Sequence, residues 1–288
     1  MYLLYGLYKN PRTRRNMNNV FRKYTRGNRI IRLISDIFIH RGKCKDVVVW
    51  NYVRGNIQLT KKDMMKRKKY EPIRGERRAS DVMHMIRNKL HHNEQCMYLD
   101  VGCGRGWPTY ELGRRLQCKI NAIDIKNEVD PRLRRKINFK LYNGWRVPQP
   151  PSTSTSTSTS TSTSTHYDII TCFMVLHHVR RLKTLLKSIY SALAPDGLFI
   201  IRDHDIRTQS QKNLVIMQHL IQSEIYAGAS ALEETVDSPK SSTYYAKYRS
   251  RPELTEIIKS VGFIKNNNIR YPKIKNNPTK YFYSVFHK

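Results

Sequence analysis

The chain of 288 residues is long enough for one substantial core plus an extension or a small second domain. Its 53 Lys/Arg against 22 Asp/Glu leave a formal charge of +31, far beyond what solubility asks for. A polyanion is therefore the first partner to consider, ahead of an anionic membrane surface or a generally basic proteome. No apolar run approaches 18 residues, which excludes a membrane-spanning helix, and MYLLYGLY is too short for a signal-peptide core. Cys44, Cys96, Cys103, Cys118 and Cys172 are scattered and odd in number. They form no zinc-ligand spacing, so no metal is expected, and they read as free thiols of a reducing compartment. The expected location is cytoplasmic, or nuclear through the Lys/Arg run at 66–69.

Residues 1–78 carry 22 Lys/Arg against 5 acidic residues and form a basic N-terminal extension, a candidate RNA-binding arm. In it, NRIIRLISDIFIHRG predicts an amphipathic helix with Ile30, Leu33, Ile34, Ile37 and Phe38 on one face. DVVVWNYV and NIQLT, separated by Arg54-Gly55, predict a hairpin, and KKDMMKRKKYEP is a charge run. The extension is expected to be folded in its middle and mobile at both ends.

From residue 79 onward, helices and strands alternate. ASDVMHMIRNKLHH is a helix, CMYLDVG a strand, and WPTYELGRRLQ a helix with Pro108 in its first turn. KINAIDI, INFKLYNG, YDIITCFMVLHHV and LFIIRDHD are further strands. A weak helix is expected near 128–135, and RRLKTLLKSIYSAL is a strongly periodic one. RPELTEIIKSVGF is a last helix, followed by the strands IKNNNIRYPKI and KYFYSVFHK. Such alternation predicts an α/β fold: a mostly parallel sheet with helices on both faces, the last strand antiparallel. The Ser/Thr repeat at 152–165 buries no apolar surface and is expected to be a disordered insertion in a surface loop.

LDVGCGRG places Gly102, Gly104 and Gly106 after a strand and before a helix. A dinucleotide fingerprint needs its third glycine one residue later, and the lysine of a phosphate loop is absent. Asp100 at the strand end would repel pyrophosphate but suits a ligand carrying an ammonium and a sulfonium. Asp124 ends the next strand, where an acid accepts the hydrogen bonds of a ribose diol. Together these features describe S-adenosylmethionine.

LDVGCGRG, AIDIK, YDIITCFMVLHHV and LAPDGLFIIRDHD resemble, in order and spacing, the successive motifs of class I S-adenosylmethionine-dependent methyltransferases. The resemblance covers about residues 79–288 and implies a Rossmann-like sheet of seven strands. By position it assigns Asp100, Gly102, Cys103, Gly104, Arg105 and Gly106 to the methionine moiety, and Asp124 and Ile125 to the ribose side. Asn143 and Gly144 stand where an acid often meets adenine, and Phe173 and Met174 would flank the adenine or the methyl group. The basic arm, RDHD and YYAKYRSRPEL together resemble methyltransferases encoded by large DNA viruses.

Signatures of base amino-group, cytosine-C5 and ribose 2′-O methylation are absent. Cys172 reads as a buried strand thiol. Asp203 and His204 of RDHD, with His178 of LHHV, are the candidate catalytic groups; Asp203 or Asp205 has a rival role as a helix N-cap. The expected activity is methyl transfer from S-adenosylmethionine to RNA, an mRNA cap included. A small-molecule or protein methyltransferase and a noncatalytic nucleic-acid-binding protein on this fold are the alternatives. The sequence does not disclose an oligomeric state.

Overall fold

A seven-stranded sheet organises the larger of two units in the computed structural model, which describes residues 2–24, 26–57, 60–86, 96–150, 166–221, 246–271 and 279–288, without the side chains of 61–70, 267 and 268. The strands are β1 (Met97–Val101), β2 (Lys119–Asp124), β3 (Asn138–Leu141), β4 (Tyr167–Phe173), β5 (Leu193–His204), β6 (Ile264–Arg270) and β7 (Tyr281–His287). Their spatial order is β3-β2-β1-β4-β5-β7-β6. The first five run parallel, and β7 is antiparallel to both β5 and β6. The order reverses between β1 and β4, where open α/β sheets hold ligands at their carboxyl ends.

All five residues of β1 are buried, as a parallel strand covered on both faces requires. On one face Leu99, Ile170, Phe199 and Ile201 pack with Leu185 and Ile189 of α7 (Leu182–Ala192) and Ile258 of α9 (Arg251–Lys259). The other face sets Tyr98, Ile169, Ile200 and Val285 against Val82 and Ile86 of α5 (Lys61–Ile86) and Leu112 of α6 (Trp107–Leu116). Each such fully buried aliphatic side chain contributes about 1.5–3 kcal/mol.

The smaller unit comprises Met1–Lys69, Asp205–Tyr248 and Lys273–Lys280. Its described helices are α1 (Leu3–Lys9), α2 (Pro11–Phe21), α3 (Gly27–Arg41), α4 (Asp46–Asn56), the start of α5, and α8 (Gln209–Leu220). Leu4, Phe21, Ile34, Trp50, Met217 and Ile221 meet in one core. The segment after β5 thus packs with the N-terminal helices, so the units do not divide at a single cut at 78/79. Asp46, 1% exposed, accepts from the backbone N–H groups of Leu3 and Leu4 at 2.9 Å and caps α1 from 42 residues away.

Several elements depart from expectation. DVVVWNYV is the helix α4, not a hairpin strand: Val49, Trp50 and Val53 are buried at helical spacing, and packing overrides the β-branched preference. Both ends of the extension are helical: Leu3, Leu4 and Leu7 of α1 are buried, and the charge run 61–69 lies within α5. No helix forms at 128–135. Pro131 follows Asp130, whose side chain accepts from the Arg132 N–H at 3.1 Å, so the chain turns there. The Ser/Thr repeat, residues 87–92 of the expected helix and residues 244–245 of YYAKYRSRPEL lie outside the described residues.

Cys96 and Cys118 are joined by a disulfide that ties the entry of β1 to that of β2, in place of two free thiols. The two residues lie 22 apart in the chain but adjoin across the sheet, where Lys119 N–H donates to the Cys96 carbonyl at 2.8 Å. Cys44, Cys103 and Cys172 remain free. A thiol titration of the denatured, unreduced protein is expected to count three thiols; five would contradict the pairing.

Candidate active site

Where β1 ends, the glycine loop turns toward β2. Gly102 and Cys103 N–H groups donate to the Ile123 carbonyl at 2.8 and 3.2 Å. Gly102 has φ +78°, and a Cβ there would lie 2.2 Å from Cγ2 of Val175. Gly104 has φ +52°, and a Cβ there would meet nothing within 4 Å. The first glycine is demanded by packing; the second faces open space. Gly104 N–H donates to Asp124 Oδ2 at 2.8 Å, and Lys126 N–H donates to Oδ1 at 3.3 Å. Asp124 is half-buried, with further lone pairs on both oxygens.

Asp100 lies under the loop, 2% exposed. Its Oδ2 accepts from Thr109 Oγ1 at 2.5 Å and its Oδ1 from Thr171 Oγ1 at 2.7 Å. Tyr98 Oη is 2.8 Å from the same Thr171 hydroxyl, extending the chain by one member. Burial pushes the Asp100 carboxyl up to about 6 despite the two hydroxyl bonds, and the charge of Asp124 adds to the rise. An opposite charge above the loop would relieve it.

Arg105 is taken by protein partners: Nε contacts Glu71 at 2.8 Å and NH2 contacts Asp130 at 3.2 Å. Burial and the nearby Asp100 and Asp124 charges push the Cys103 thiol far above its ordinary value, which makes it a poor nucleophile. Ile125 is 61% exposed beside Gly144, and the Asn143 side chain accepts from the backbone of Trp145 and Arg146 at 3.1 and 2.9 Å. The Asn143 carbonyl thus shapes its own turn.

At the carboxyl end of β4, Phe173 is buried edge-on to Tyr283, with 6.0 Å between centroids. Met174 has φ +64°, a costly conformation for a side-chain-bearing residue, and its N–H donates to the Arg202 carbonyl at 2.6 Å. Beyond it, Asp203 Oδ1 accepts from His177 Nδ1 and from the His204 N–H, both at 2.7 Å. Burial raises the Asp203 carboxyl, but the His177 charge and hydrogen bond outweigh it and hold the carboxyl below its ordinary value. The His178 ring lies 4.0 Å and the His204 ring 5.4 Å from that of His177, centroid to centroid.

Neither Asp203 nor Asp205 caps the following helix. Thr208 does so, in a capping box with Gln211, while Asp205 pairs with Arg207 at 3.1 Å.

The expected residues therefore gather at the carboxyl ends of β1, β2, β4 and β5, with Asn143 and Gly144 just past β3. Sequence reasoning did not single out Thr109 and Thr171, the hydroxyls on Asp100, and chose His178 where the inward ring is His177. Thr171 stands directly opposite Asp100 in the β1–β4 register, 71 positions away, and only that pairing shows its role. A cavity of about 730 Å3 lies at the opposite, amino end of the sheet, between Lys119, Asn121, Arg134 and Asn138. It is far from this chemistry, and we assign the site to the carboxyl ends.

A family model described as a methyltransferase domain matches residues 73–263. No protein of curated function matches the chain. Among solved structures, an S-adenosylmethionine-dependent methyltransferase from Mesorhizobium loti is similar at 12% identity, over 70% of this chain and 95% of that one, with a TM-score of 0.45. The 1,6-didemethyltoxoflavin-N1-methyltransferase of Burkholderia thailandensis, with bound S-adenosylhomocysteine, is 16% identical over 74% and 78%, TM-score 0.45. Phosphoethanolamine N-methyltransferase 2 of Haemonchus contortus, in complex with S-adenosyl-L-methionine, is 13% identical over 72% and 52%, TM-score 0.45.

Proposed function

This chain belongs to the methyltransferase-domain family and uses S-adenosylmethionine, and from that premise we propose that its methyl acceptor is RNA. When bound, the cofactor supplies an electrophilic methyl group on a sulfonium. The residues present fit it. Gly104 opens a cradle that a Cβ would narrow, Asp124 keeps lone pairs for two ribose hydroxyls, and buried Asp100 favours a cation above the loop. Ile125 offers an exposed apolar face for adenine, beside the Asn143–Gly144 turn.

The single observation that carries the RNA reading is charge. The whole chain has 53 Lys/Arg against 22 acids, and 22 of those cations fall in residues 1–78. Arg12, Arg14, Arg15, Arg22, Arg29 and Arg32 of this segment are mainly solvent-exposed, as a phosphate-binding surface requires.

Alignment and exclusion of water account for much of a methyl transfer. We assign the remaining proton handling to Asp203 and the histidines around it. Asp203 fixes the orientation of His177, and His178 and His204 extend the pair.

Incubation with methyl-tritiated cofactor and total RNA, protein and small-molecule fractions tests the acceptor. Label in RNA is expected, with an RNA affinity that falls steeply as salt rises. Label only in the protein or small-molecule fraction would move the acceptor there. Salt-sensitive RNA binding with no label anywhere would leave a noncatalytic binding protein.

A further inference from the structure

Arg202 is the antepenultimate residue of β5. It pairs with Phe173 on β4 and Tyr283 on β7, and so shares the face of the sheet that α5 covers. Only 8% of it is exposed. Its guanidinium carbon stands 3.9 Å from the ring centroid of Tyr281 and 5.7 Å from that of Tyr283. Its Nε is buried with no hydrogen-bond partner among the described residues. Two tyrosine faces give a guanidinium cation–π attraction but accept none of its in-plane N–H groups.

A second guanidinium, Arg78, stands on α5 one turn before Val82, beside Ala79, and both of those residues pack against this face of the sheet. Burial and the like charge of Arg202 together hold Arg78 down at about 10. The nearby acids are committed elsewhere. Asp81 pairs with Arg270 at 2.9 Å. Asp100 holds the two threonine hydroxyls, and Asp203 holds His177. Asp203 also faces the other way, since its cross-strand partner Phe282 lies in the core of the opposite face.

Among the described residues no carboxylate pairs with Arg202, and Asp100, whose charge reaches Arg78, is already held by its two threonine hydroxyls. Two like charges in a partly desolvated place are therefore costly unless an anion joins them. We propose that Arg202 and Arg78, walled by Tyr281 and Tyr283, form an oxyanion site that binds a carboxylate or phosphate group of the reactants. The planar guanidinium fork suits either group, held by two parallel hydrogen bonds. The identity of the reactants rests on the methyltransferase reading. Within it the anion has two sources: the amino-acid carboxylate of the cofactor, or a phosphate of the acceptor.

Calorimetric titration of wild type, Arg202→Met and Arg78→Met separates them, with S-adenosylhomocysteine, its decarboxylated analogue and inorganic pyrophosphate as probes. Methionine keeps the apolar stem, and a thermal melt of each variant reports folding. We expect each variant to lose about tenfold or more in affinity for at least one anionic probe, in line with loss of a charge-assisted hydrogen bond. Loss for S-adenosylhomocysteine but not for its decarboxylated analogue assigns the site to the cofactor carboxylate. Loss for pyrophosphate alone assigns it to an acceptor phosphate. Variants that melt like wild type and bind all three probes unchanged would overturn the site. If Arg202→Met fails to fold, Arg78→Met decides alone. If wild type binds pyrophosphate through these arginines but no S-adenosylhomocysteine, the oxyanion site stands and the methyltransferase reading falls.

Discussion

Asp100→Asn is expected to weaken S-adenosylmethionine binding tenfold or more while raising the melting temperature of the ligand-free protein above pH 6. The buried carboxyl titrates at about 6, against an ordinary value of 3.8. Its folded pKa is raised, so its contribution to stability is fully present below pH 3.8 and is lost as the pH climbs through 6. A shift of roughly two units corresponds to about 3 kcal/mol at neutral pH. Asparagine carries no charge to desolvate, and it can accept from one threonine hydroxyl and donate to the other. The gain should therefore be several degrees at pH 7.5 and smaller at pH 5. The same charge favours the cationic end of the cofactor, so wild-type affinity should rise between pH 5 and 7 and the variant's should stay flat. Melts and titrations at the two pH values check both halves. A variant that melts lower than wild type at pH 7.5 would show that the charge stabilises the fold instead.

The second large effect separates two glycines two positions apart. Gly102→Ala places a Cβ 2.2 Å from Val175 Cγ2 at φ +78°, so strain and overpacking add to about 2–5 kcal/mol. The protein should melt far lower. The double variant with Val175→Ala should recover only the steric part, leaving the backbone cost. Gly104→Ala has φ +52° and nothing within 4 Å to strike, so its stability cost is about 1–2 kcal/mol at most. Its effect should appear in the cofactor titration, as a loss of affinity in a folded protein. Equal melting temperatures for the two alanine variants would contradict this division of roles.

The alternation from residue 79 onward was enough to read the sheet, its antiparallel end and its periodic helices, but not the turn that replaces the weak helix at 128–135. Parallel strands buried on both faces and amphipathic helices each leave a periodic trace. The glycine loop and the two aspartates were legible because they lie close together along one β-α-β run. What escaped were contacts between distant segments. Thr171 reaches Asp100 only through the β1–β4 register, and Asp46 caps α1 only because α4 folds against it. The Val47–Val49 run reads as strand until Val49, Trp50 and Val53 find the same helical core. Cys96 and Cys118 become neighbours only when β1 and β2 pair. In LHHV the two histidines are equivalent as text, and Asp203 selects the first of them.

Calorimetric titration of the intact protein with S-adenosylmethionine and S-adenosylhomocysteine tests the central claim most directly. One cofactor per chain is predicted, with affinity lost on Asp100→Asn and on Gly104→Ala while both variants remain folded. Tight binding of NADH with no binding of either adenosyl compound would contradict it.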